Sequence, residues 1–346
     1  MPDRHVTDYV VVGAGSAGSV VSRRLLDAGH TVHVIEAGPI DTDPAIHSMQ
    51  GWPKLIGGPL DWALFTTPQR HANNRRIHWP RGRVLGGSSS LNGLIYIRGH
   101  ADDYDNWAAT SGDPGWAWAN VLPLFKRSEA HVNGASEYHG GDGPLPVSVI
   151  DNPHPLSQAF VNAAAACGHK VVDDFNSADM VGVGYNDITA RGGERMSAWK
   201  SFVAPVLGHP NLTVTTDAVV HKVVVENGRA VAVEYSQGSA GMRLARAEAE
   251  IVLSAGALGS PKILMLSGIG PSEHLESVGV GTIVDLPRGW REPPRSSPDQ
   301  QYVRDQPADC AGVEQSLGGA ALRAQCEHQR RGTRPATGIP AHPLRD

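Results

Sequence analysis

Asp8-Tyr9-Val10-Val11-Val12-Gly13-Ala14-Gly15-Ser16-Ala17-Gly18 is the stretch that decides the fold, together with the residues after it as far as Glu36. The apolar, β-branched run before Gly13 predicts a strand buried on both faces. Gly13, Gly15 and Gly18 come at once after it. Ser19 to Ala28 then predicts a helix with Val20, Val21, Leu25 and Leu26 on its apolar face, ended by Gly29. Thr31 to Ile35 reads as a second strand, with Glu36 at its end. Strand, glycine turn, helix, strand and terminal acid make a complete dinucleotide-binding βαβ unit. Gly13 permits the tight turn, Gly15 the approach of a pyrophosphate, and Gly18 close helix–strand packing. The helix N-terminus, with free N–H groups and a positive dipole end, then faces the phosphates, and Ser16 and Ala17 in the turn before it are candidate cofactor contacts. Glu36 is placed for ribose hydroxyls. The pattern alone leaves the choice between NAD and FAD open.

A second stretch is less ordinary. Residues 80–99 run from Pro80 through Arg81-Gly82-Arg83-Val84-Leu85-Gly86-Gly87-Ser88-Ser89-Ser90 to Asn92-Gly93-Leu94-Ile95-Tyr96-Ile97-Arg98-Gly99. A flexible linker would not continue into ordered apolar residues. A compact Gly/Ser loop can instead bring backbone N–H groups and hydroxyls against a flat ligand. Further along, Glu250 to Ser254 predicts a strand. After it come a turn at Ala255-Gly256 and a helix opened by Ser260-Pro261 and closed by Ser267-Gly268. Asn211 through Val224 reads as a strand pair.

These two stretches resemble, nearly position for position, the two signature motifs of the glucose–methanol–choline (GMC) oxidoreductases. The choline-dehydrogenase-like branch is nearest, through residues 96–108. WALFTTPQ at 62–69 and GGERMSAWKSF at 192–202 add to the likeness. Glu36-Ala37-Gly38 also resembles the flavoprotein form of the fingerprint. The resemblance implies an α/β, doubly wound, Rossmann-like FAD domain with an incomplete substrate-binding domain. It places residues 1–150 and 206–287 in the first and 151–205 in the second. It assigns Arg83, Val84, Gly86, Gly87, Asn92, Gly93, Leu94 and Ile95 to FAD, with Ala255 and Gly256 from the second motif. It also brings the backbone of Val220 to the adenine. Covalent-flavin members carry His before the Asn; here Leu91 stands there, so FAD is expected to be non-covalent. The implied activity is oxidation of a small-molecule alcohol by hydride transfer to flavin, with the electron acceptor undetermined. A non-catalytic FAD-binding remnant and a non-redox relative such as a hydroxynitrile lyase are the alternatives.

The likeness ends after Val284-Asp285-Leu286-Pro287. Residues 288–346 hold nine Arg, seven Pro and no Lys, without sustained apolar periodicity. Taken at face value they read as a disordered tail. A reading-frame change accounts for them better. Residues 288–300 can be encoded so that deleting one base gives GVGGNLHDHPLI, the continuation the family shows. Residues 334–345 shift likewise to DLQLAFLHIPFA. The family's catalytic His lies in a C-terminal segment with no counterpart here. No catalytic residue is therefore assigned, His342 included, and the chain as it stands is expected to be truncated and inactive.

Net charge of −5 without a clustered basic face excludes a nucleic-acid footprint. The His residues show no metal-ligand spacing, so no metal is expected. Three Cys and no long apolar run point to a cytoplasmic protein without a membrane span.

Overall fold

The computed structural model describes residues 6–239 and 241–286; the expected tail lies outside them. They form two compact units. One comprises residues 6–96, 101–148 and 188–286, the other residues 97–100 and 149–187.

The larger unit is built on one six-stranded sheet. β1 (Val6–Val12), helix α1 (Ser16–Asp27) and β2 (Val32–Ile35) make the expected βαβ unit. β3 (Leu212–Thr215), β4 (Ala218–Glu226), β5 (Arg229–Gln237) and β6 (Met242–Leu253) complete the sheet in the order β3-β2-β1-β6-β5-β4. The first four strands in this order run parallel and the last two pairings are antiparallel. Register is set around β1, where Val12 stands opposite both Ile35 and Leu253. The twelve-residue β6 joins the two halves: its start pairs with β5 and its end with β1.

Alternation along β1 divides the core. Val11 packs on the face covered by α1 and by Trp199, Phe202 and Val203. Val10 and Val12 pack on the other, with Val220, Val233, Tyr235 and Ile263. Val10 and Val11 are fully buried, which stabilises the fold by roughly 1.5–3 kcal/mol each. The C-terminal ends of β1, β2 and β6 therefore come together at one edge, and the glycine turns start there.

Three boundaries differ from the sequence expectation. Helix α1 begins at Ser16 rather than Ser19. Helix α2 spans Gly256–Leu266, so Pro261 lies inside it instead of opening it. Gly256 takes φ +80° and turns the chain out of β6 before Pro261 is reached. Residues 188–205, expected in the substrate domain, pack with the sheet unit because Trp199, Phe202 and Val203 fill the core beside α1. The smaller unit is residues 97–100 and 149–187. It carries a helix at Pro155–Ala166, held by Val161, Ala164 and Val183.

Candidate functional site

The first turn behaves as the sequence requires. Gly13 adopts φ +94°, and a Cβ there would stand 2.6 Å from the Ser254 carbonyl oxygen. Its N–H donates to the Ile35 carbonyl at 2.8 Å. A Cβ on Gly18 would lie 1.8 Å from the Gly13 carbonyl oxygen, so α1 approaches the turn as only glycine allows. Gly15 is the N-cap of α1 and offers no side-chain cap. The first N–H groups of the helix, at Ser16 and beyond, are left for a ligand.

Glu36 is buried, and its carboxylate closes the turn from below. Oε2 accepts from the Ala14 N–H at 2.8 Å and Oε1 from the Gly38 N–H at 2.9 Å. Burial raises its pKa above the ordinary value, against the opposing pull of these backbone donors and of Arg83. The Ala37 N–H bears on the same carboxylate. Sequence spacing points to the outward role of Glu36 but not to its inward one.

The Gly/Ser loop lies directly against this turn. The Gly86 N–H donates to the Ala14 carbonyl at 2.9 Å. A Cβ on Gly87 would sit 2.8 Å from the Gly15 Cα. Two glycine turns distant in sequence thus touch backbone to backbone. Arg83 Nε donates to the Ala37 carbonyl at 3.3 Å, and its guanidinium lies over Trp62.

Between these elements opens a cleft of about 1020 Å³, at the large end of the range for small-molecule and cofactor sites. Gly13, Gly15, Ser16, Ala17, Glu36, Ala37, Gly87, Val220, Ala255 and Gly256 all line it. The other expected residues do not. Gly18 packs behind the turn. Val84 and Leu94 are buried, Val84 in a small core with Ile46, Leu55 and Leu91, so their side chains serve the fold. Arg83, Gly86, Gly93 and Ile95 stand outside the cleft wall, as does Asn92, which is exposed beside the loop.

Several lining residues carry no assignment from the sequence. Trp62, Phe65, Trp79, Arg81, His221 and Lys262 also face the cleft. Trp62, Phe65 and Trp79 keep 42%, 53% and 43% of their surface, so a flat ligand can cover them. Two short strands, Leu64–Phe65 and His78–Trp79, pair to present Phe65 and Trp79, and the Trp62 N–H donates to the Arg81 carbonyl at 2.8 Å. Asp61 anchors their base by accepting from the N–H groups of Gly57, Ala63 and Arg81. Burial pushes the Asp61 carboxyl up, but these donors and neighbouring His78 outweigh it and hold it below its ordinary value. Arg81 and Lys262 bring two positive charges to the cleft, suited to a diphosphate. Apart from their place within family-like stretches, nothing in their spacing marks them.

The residues present fit FAD. The cleft wall holds a helix N-terminus, the acid at the end of β2 and the touching glycine turns of residues 13–18 and 86–87. Fold and cleft together define a doubly wound, dinucleotide-binding α/β protein. Residues 7–286 match the GMC oxidoreductase family, and the chain belongs to it. It is 42% identical over 284 residues to an alcohol dehydrogenase [acceptor] of Pseudomonas putida, covering 81% of this chain and 51% of that protein. It is 41% identical over 289 residues to the mitochondrial choline dehydrogenase of Mus musculus, covering 81% and 48%. Among solved structures it resembles pyridoxine 4-oxidase from Mesorbium loti, with TM-score 0.78, 41% identity, and coverage of 81% of this chain and 55% of that one. The chain spans about half the length of the curated relatives it matches. No helix among the described residues is long and apolar enough to cross a membrane.

Proposed function

We propose that residues 6–286 hold FAD non-covalently, and that the whole protein oxidises an alcohol at its CH–OH carbon. The carrying observation is the buried Glu36 beneath the Gly13–Gly18 turn, at the head of a cleft large enough for a dinucleotide. The N–H groups at Ser16 and Ala17 would hold the diphosphate, aided by Arg81 and Lys262. Glu36 would accept from a ribose hydroxyl where its backbone donors leave an acceptor position free. Val220 would border the adenine. Bound flavin supplies the hydride acceptor; the chain supplies orientation and exclusion of water. The buried, apolar Leu91 in the position before Asn92 favours non-covalent attachment, since it offers no nucleophile.

An alcohol substrate is supported by the names of the relatives, among them an alcohol dehydrogenase and a choline dehydrogenase. The electron acceptor is left unassigned. A frame change after Pro287 belongs to the same proposal and rests on the codon relation of residues 288–300 and 334–345.

Titration of the purified chain with FAD should give one flavin per chain, released into solution by heat denaturation. Failure to take up FAD, or flavin that stays with the denatured chain, would count against the reading. Resequencing across the Pro287 codon tests the frame. Deleting the extra base should yield a protein that reduces an artificial dye with choline or a simple alcohol, whereas the sequence as given should not.

A further inference from the structure

His78 stands behind the cleft wall rather than in it. It lies opposite Phe65 in the short hairpin, and the two rings stack, with centroids 4.8 Å apart and planes 25° from parallel. Phe65 lines the cleft and is itself 53% exposed. At the edge of the imidazole, Nε2 is buried 3.3 Å from Asp61 Oδ2 without forming a hydrogen bond. The Asp61 side chain is wholly buried. Its two oxygens accept the N–H groups of Gly57 and Ala63 before the hairpin and of Arg81 after it. Those bonds fix the carboxylate and leave the partly exposed His78 as the movable partner. Two arginines stand nearby. The Arg81 guanidinium lies 4.9 Å from the Trp79 ring centre, and that of Arg76 lies 5.7 Å from the Phe65 ring centre.

A lone pair on Nε2 would face the carboxylate and repel it, so Nε2 carries the proton of the neutral ring. A second proton, on Nδ1, turns the contact into an ion pair, and burial of the carboxylate makes such a pair stronger than one in water. Histidine is the side chain that changes charge between about pH 5 and 8. The pull acts on the ring edge, toward Asp61, while the ring face bears on Phe65. A shift of the imidazole therefore moves a ring that a ligand meets.

We infer that His78 is a positioning residue whose charged form is drawn to Asp61 and holds the Phe65 ring against a ligand in the cleft, so that binding is tighter with the imidazole protonated. The inference rests on the FAD reading above. Protonation of Glu36 acts in the opposite sense, by withdrawing an acceptor, and is common to the parent and the variants below.

The test is FAD affinity between about pH 5.5 and 8.5, read by flavin fluorescence on the full chain, with apoprotein melting as a folding control. His78→Phe keeps an aromatic ring against Phe65 but takes no charge. The ratio of parent to His78→Phe affinity should rise about threefold from the alkaline to the acid end, the strength of a partly exposed ion pair. Phe65→Leu keeps the charge of His78 and removes the ring through which it acts. Its ratio to the parent should show the same rise. Simple attraction of the diphosphate by a nearby cation would survive in Phe65→Leu and leave that ratio flat. If His78→Phe does not fold, Phe65→Leu answers alone, because the replaced side chain is exposed. A ratio that stays flat with pH for either folded variant overturns the inference while leaving the FAD reading intact. A parent chain that takes up no FAD overturns both.

Discussion

Gly15→Ala separates the cofactor role of the first turn from its structural role. Gly15 has φ −72° and ψ −163°, an extended conformation open to alanine. A Cβ there meets nothing closer than the Gly87 Cα, at 3.9 Å, which is ordinary van der Waals contact. The apoprotein should therefore keep its stability to within about 1 kcal/mol, with any change on the stabilising side because alanine restricts the unfolded chain. The ligand has no such tolerance. Gly15 lines the cleft at the head of α1, where a diphosphate must approach the backbone closely enough to use its N–H groups. Holding that approach back by one methyl group should cost at least about 1.4 kcal/mol, or tenfold in affinity. The assay is an FAD titration beside a thermal melt of the apoprotein. Unchanged FAD affinity, or an apoprotein destabilised by several kcal/mol, would refute the argument.

Other substitutions should behave differently. Gly18→Ala places a Cβ 1.8 Å from the Gly13 carbonyl oxygen, so it should destabilise the apoprotein by at least about 1–3 kcal/mol, visible in denaturant melts without cofactor. Asp61→Asn replaces the carboxylate by a neutral amide, leaves at least one of the three backbone N–H donors facing an NH₂ instead of an acceptor, and should cost about 1–3 kcal/mol at neutral pH. Because the folded pKa of Asp61 is depressed, its contribution is complete above the ordinary carboxylate value of 3.8 and fades as pH falls through the folded value. The variant should show a flatter acid limb in stability against pH. Glu36→Gln keeps only one of the acceptors offered to Ala14 and Gly38, and should weaken both the apoprotein and FAD binding. Burial raises Glu36, so the folded chain holds that proton to higher pH than the unfolded one. This group therefore lowers stability as pH rises above 4.5, a slope that Glu36→Gln removes in pH-resolved melts.

Much of the fold was legible in residues 8–36 because local rules govern them. A β-branched run, three spaced glycines and an acid at the strand end each answer to a backbone or packing requirement within thirty residues. Long-range relations were not legible in the same way. That Gly87 touches Gly15 and that Val84 is buried in a satellite core both depend on chain segments brought together by the folded sheet. Helix α2 shows a smaller case: Pro261 suggests a start, but the positive-φ turn at Gly256 has already begun the helix.

By itself, then, the sequence determined the doubly wound fold, the family and the two glycine turns, since each is written in short-range spacing that only particular backbone conformations satisfy. Tertiary structure alone decided which motif residues face the cleft and which support it from behind. It also supplied the wall of Trp62, Trp79, Arg81 and Lys262 and set His78 against Asp61 and Phe65. Burial and side-chain direction follow from packing across the chain, and no local pattern encodes them.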